Sequence, residues 1–203
     1  RIGQFRQRVR GLAMSEFDYL SVITSIVLGL SLTQLLTGLG RMIQLRRRIA
    51  FYWPALLSIL ALILVDVQFW WSLFGLRGRT DWDFPSFLII LAQAVVLSVA
   101  STVLVPAMPE EAPRIDLKAA YFDHARWYYG LLLGVLAISL AKNLILDGHL
   151  QRPADLAAHG VFAAIFVVLA VSRSDRIHKV LAPVVTAIFV AYVAVLFARL
   201  GAN

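Results

Sequence analysis

The chain has 203 residues, 60% of them hydrophobic and 15% charged, where a soluble domain carries about 45–50% apolar and about 25% charged residues. The apolar residues gather in runs of about twenty, the length that crosses the hydrocarbon core of a bilayer, which excludes a soluble enzyme, a nucleic-acid-binding module and a β-barrel of alternating strands. The net charge of +7 comes with no cysteine, so disulfides and thiolate sites are excluded, and the basic residues flank the apolar runs, where they address lipid headgroups and topology rather than nucleic acid.

Residues 1–13 form a basic tail, with Arg1, Arg6, Arg8 and Arg10 set against an apolar stripe of Ile2, Phe5, Val9 and Leu12. The tail is either a peripheral or non-native extension before a start at Met14, or a short interfacial helix. It lacks the short apolar core and small-residue cleavage site of a signal peptide. Residues 14–203 read as one all-α domain, a polytopic transmembrane bundle of six spans joined by short loops. In chain order the spans run from about Asp18 to Gly40, Trp53 to Leu76, Phe84 to Val105, Trp127 to Leu146, Ala154 to Val171 and Val180 to Leu200. Pro106, Pro109 and Pro113 close the third, because proline cannot continue a helix. The connection that follows carries Ile115, Leu117, Tyr121 and Phe122, a pattern suited to the membrane interface. No loop is long enough for a soluble catalytic or nucleotide-binding domain, so function must lie among the helices or at their mouths.

An even number of spans puts both termini on one side, here side A. Side B carries ten basic residues, among them Arg41, Arg46, Arg47, Arg48, Lys118 and Lys179, against Arg77, Arg79, Arg152 and Arg199 on side A. The positive-inside rule then makes side B cytoplasmic and the protein a multi-pass component of a bacterial-type inner membrane, unless the tail's four arginines count. Trp70, Trp71 and Trp82 are expected in the aromatic belt of side A, and Tyr52, Trp53, Trp127, Tyr128 and Tyr129 in that of side B. Small residues recur four apart at Ser21, Ser25, Gly29, Thr33 and Thr37, and again at Gly130 and Gly134, Gly160 and Ala164, and Ala187 and Ala191. Such rows let backbones approach closely. Packing within the bundle is the expectation, with a homo-oligomer or a partner-subunit face as the alternative.

Ionisable groups at membrane depth are costly, so each is expected to have a partner or a role. Counting about 1.5 Å per residue from each span's middle puts Asp66 roughly 4 Å, His159 roughly 5 Å and Lys142 roughly 9 Å toward side A. Gln68, Asn143, Tyr192 and Arg199 fall in the same half. The cluster reads as a polar vestibule opening to side A, with an Asp66–Lys142 pair between the second and fourth spans. It reads equally as buried polar glue that fixes which helices meet.

Two catalytic constellations can be tested. His149, Asp155 and His159 offer three nitrogen or oxygen ligands, but their spacing fits no established metal motif, and no metal or cofactor is expected. Gly29-Leu30-Ser31-Leu32 is similar to the Gly-x-Ser-x of rhomboid intramembrane proteases. Ser31 and His159 nevertheless differ in depth by roughly 8 Å, too far for a nucleophile and its base. The expectation is therefore not an enzyme but a small ion- or proton-handling channel or carrier, built on Asp66, Lys142 and His159 with Gln68 and Asn143 beside them. The alternatives are a non-catalytic accessory subunit of a larger membrane complex and, more weakly, an intramembrane metal-dependent hydrolase. The lipid bilayer is the one partner that composition demands.

Overall fold

The computed structural model describes residues 15–108 and 114–200, with side chains through Val195. The basic tail, Pro109, Pro113 and the side chain of Arg199 lie outside the described residues. Six helices follow in order: α1 Glu16–Gln44, α2 Trp53–Ser72, α3 Phe84–Leu104, α4 Leu117–Asp147, α5 Pro153–Val171 and α6 Asp175–Leu200. A 3-10 turn, Leu73–Leu76, prolongs α2. All six helices are long and apolar enough to cross a bilayer, and the chain is an integral multi-pass membrane protein.

Helix ends follow from local chemistry. Ser15 and Asp18 form a reciprocal capping box at the start of α1, with bonds of 3.2 and 2.8 Å. Asp83 caps α3 by accepting from the Ser86 N–H at 3.0 Å, and Asp116 caps α4 through Lys118 and Ala119. Gly148, at φ 70°, ends α4 in the left-handed region that glycine adopts without strain. Pro153 opens α5, where its missing N–H costs nothing.

Contacts between loops define two ends of the bundle. On side A, Phe17 stacks obliquely on Trp82 and Arg79 reaches Asp147 at 3.8 Å, so the start of α1, the α2–α3 loop and the end of α4 lie together. On side B, β1 (Ile49–Ala50) pairs in parallel with β2 (Ile115–Asp116), Arg41 donates to the Met108 carbonyl, and Lys118 pairs with Asp175.

The helices close on one another in a ring. α3 packs between α1 and α4, α5 packs on α4, and α6 joins α5 to α2, which returns to α1. The buried face of α1 is Leu20, Thr24, Leu28, Ser31, Leu35, Gly38 and Met42. These steps of three and four are the seam of left-handed helix packing. The seam overturns one expectation, because the Gly29 row lies off it. A Cβ added at Gly29, Gly130 or Gly160 would meet nothing within 4 Å. Of the expected positions, Gly134 lies in ordinary contact with Val96, and the close approach is at Gly38, whose added Cβ would stand 2.7 Å from Val105.

Four further expectations are corrected. The fourth span begins at Leu117 rather than Trp127, because Asp116 caps a continuous helix there. Ile115, Leu117 and Tyr121 are consequently buried in the bundle rather than laid along its surface. Tyr52, Tyr128 and Tyr129 are buried too, whereas Trp53, Trp127, Trp70 and Trp71 do face outward. The sixth span likewise starts earlier, at Asp175.

Candidate functional site

A cavity of about 290 Å³ lies among α2, α4, α5 and α6, with Gln93 of α3 reaching its wall. Its body is apolar. Leu62, Val65 and Phe69 line it from α2, Leu132, Val135 and Leu136 from α4, Phe162 and Phe166 from α5, and Val185 and Phe189 from α6. The seam spacing that packs α2 and α4 also aims these side chains inward, and the small Ala158 and Ala182 leave the volume unfilled.

Polar groups crowd the side A end. Lys142 lies there with its Nζ 5.7 Å from the centre of the Phe69 ring, a cation–π contact. No carboxylate stands within ion-pair distance of it among the described residues. His159 points its Nδ1 at the Asp155 carbonyl, 2.8 Å away. A carbonyl only accepts, so Nδ1 carries a proton and Nε2 faces the Ser139 hydroxyl at 3.3 Å. Gln68 and Gln151 also line the cavity, and the Oε1 atoms of both are buried without a partner. Gln93 presents the same unpartnered oxygen further along the wall.

The residues singled out from the sequence therefore divide. Lys142, His159 and Gln68 share the cavity. Asn143 turns along its own helix, donating to the Ser139 carbonyl at 3.0 Å. Asp66 points away, toward α1, where it accepts a 2.6 Å hydrogen bond from Ser31. It is wholly buried and its Oδ1 has no partner. The expected Asp66–Lys142 pair does not form: Asp66 on α2 accepts from Ser31 of α1, whereas Lys142 projects from α4 into the cavity. The metal alternative fails on geometry as well: among the described residues no three His, Asp or Glu side chains gather closely enough to hold an ion, and His149 turns to the Leu150 carbonyl. Ser31, bonded to Asp66, has no histidine beside it.

Sequence reasoning missed the far end of the cavity. Tyr128 and Tyr129 line it toward side B. From Tyr129 a chain of hydrogen bonds runs to Tyr121 at 2.7 Å and on to His178 Nδ1 at 2.9 Å. His178 Nε2 stands 2.9 Å from the Ser172 carbonyl, which fixes its proton on Nε2 and makes Nδ1 an acceptor. The direction follows: Tyr129 donates to Tyr121, and Tyr121 donates to His178. Beside this chain, burial and the nearby Asp175 carboxylate push the Tyr52 hydroxyl well above the usual phenol range. Helical spacing was the available signal, since Leu117, Tyr121, Ala125, Tyr128 and Leu132 continue one face.

Comparison with protein-family models, with curated proteins and with solved structures found no match.

Proposed function

We propose that this protein is a membrane-embedded carrier whose cavity among α2, α4, α5 and α6 binds a small, largely apolar molecule by its polar end. One observation carries the reading: the cavity lining is predominantly apolar, and Lys142 and His159, with Gln68 and Gln151, gather at the end nearest side A, a lining suited to an amphipathic ligand. An ion path would need polar groups along its whole length, and the carboxylate expected to attract cations, Asp66, is occupied with Ser31. We therefore favour a carrier of amphipathic cargo over the ion-handling expectation. The Tyr129–Tyr121–His178 chain leads from the cavity toward side B and offers a route for coupled proton movement. By the excess of basic residues, side B is assigned to the cytoplasm. The test is saturable binding of a neutral medium-chain alcohol to the full chain in nanodiscs. Filling the cavity through Ala182→Phe, or Ala158→Phe at its other wall, abolishes that binding; undiminished binding in both variants overturns the reading.

A second reading, assembly with a further copy or another membrane subunit, is favoured by the outward Gly29, Thr33 and Thr37: among the described residues, nothing lies within 4 Å of a Cβ added at Gly29. Crosslinking of copies carrying cysteine at Thr33 tests it, and a strictly monomeric outcome in lipid, with no co-purifying subunit, rejects it.

A further inference from the structure

We infer that the ligand is an amphipathic monoanion, a carboxylate on a compact apolar body, and that Lys142 holds its carboxylate. The inference rests on the cavity being a binding site and names what enters it. Charge decides the sign. Lys142 and His159 line the cavity, and no aspartate or glutamate does. Asp66 is bonded to Ser31 of α1 and does not line the cavity. Asp147, the next acid along α4, faces Arg79 at the side A surface. The Lys142 ammonium thus sits in a mostly apolar cavity against the Phe69 ring, with no carboxylate within ion-pair distance among the described residues, an arrangement that is costly without a counter-charge. A ligand carboxylate supplies that charge through the strongest class of hydrogen bond.

The neighbours fit such a head. The Gln68 and Gln151 amides have buried, unpartnered ends and can rotate to donate to a carboxylate oxygen. One ammonium balances one charge, so a phosphate dianion would leave a charge uncompensated in an apolar cavity. The volume of about 290 Å³ has room for on the order of ten non-hydrogen atoms, at roughly 30 Å³ for each water-sized group.

Octanoate and octanol are matched probes of that size. Their equilibrium binding is measured on the full chain in phosphatidylcholine nanodiscs, with empty nanodiscs subtracted. Octanoate is expected to bind at least about tenfold tighter than octanol, the gain of one charge-assisted contact. Octyl phosphate should bind no tighter than octanoate. Lys142→Met should erase the octanoate preference while leaving octanol binding in place, and Lys142→Arg should keep most of it. Equal binding of octanoate and octanol, or a preference that survives Lys142→Met, overturns the inference and leaves the cavity reading standing. Saturable binding of neither overturns both. Should Lys142→Met fail to fold, octylammonium decides on the wild-type chain: binding as tight as that of octanoate refutes an anion site.

Discussion

Ser31 on α1 donates a 2.6 Å hydrogen bond to the carboxyl of Asp66 on α2, and both residues are wholly buried. The contact joins two neighbouring helices, and Asp66 does not line the cavity although Leu62 and Phe69 of the same buried row do. On the proposed reading the contact holds the helices together rather than a ligand. Asp66→Asn keeps an acceptor for Ser31 and should change stability by less than ~1 kcal/mol. Ser31→Ala strips a buried carboxyl of its one partner and should cost ~1–3 kcal/mol. Thermal unfolding in detergent ranks the two, and neither should alter octanol binding. A loss of binding in Asp66→Asn would put the carboxylate back in the site.

The hydroxyl of Tyr121 serves two neighbours, accepting from Tyr129 and donating to His178. Tyr121→Phe preserves the ring and orphans both, which should lower stability by ~1–3 kcal/mol. Nitrogen-15 spectra of His178 should show the Nε2-protonated form in the wild type. An Nδ1-protonated signal would reverse the direction of the chain.

Glycines divide by what surrounds them. Gly38→Ala drives a methyl to 2.7 Å from Val105 Cγ1 and should destabilise by ~1–3 kcal/mol. Gly29→Ala meets open space and should be neutral or stabilise the helix by ~0.5–1 kcal/mol. The order of their unfolding temperatures checks this. A Gly29→Ala variant that loses self-association would favour the assembly reading.

At the α2–α3 loop, the Ser86 side chain and N–H hold the exposed Asp83 carboxyl below its ordinary value. A carboxyl depressed in the folded state stabilises above its unfolded pKa, about 3.9. That contribution disappears as pH falls through the folded value. Asp83→Ala should therefore lower the unfolding temperature at pH 7, and the difference from wild type should shrink in acid. A gap independent of pH would show that the cap works without its charge.

Much of the architecture was legible in the sequence. Span count and short loops follow from apolar runs of bilayer length, which fold as helices because lipid leaves no other partner for the backbone. Two boundaries were misread for a shared reason: the first turns of α4 and α6 carry charges at their outer positions. Asp116 and Lys118 mask the fact that Leu117 and Tyr121 already belong to the seam. The polar cluster was half legible. Depth along a helix is a matter of counting, so Lys142, His159 and Gln68 were placed together. Rotation about the helix axis is not, because lipid and protein interior are equally apolar and leave little periodicity to read. Asp66 was therefore paired with Lys142 although it meets Ser31 instead, and Gly29, Thr33 and Thr37 were assigned to the interior though they face outward. Tyr121, Tyr129 and His178 come from three turns of two helices and meet only once α4 and α6 are folded back on each other.

The most direct measurement is photolabelling of the full chain in nanodiscs with a diazirine-bearing medium-chain alcohol, followed by mass-spectrometric mapping of the adducts. Saturable adducts on Leu136, Phe162 and Phe189, competed away by excess octanol, are the expected result. Adducts confined to outward residues such as Leu30, Val95 and Val167, with no competition by octanol, would contradict the cavity as a binding site.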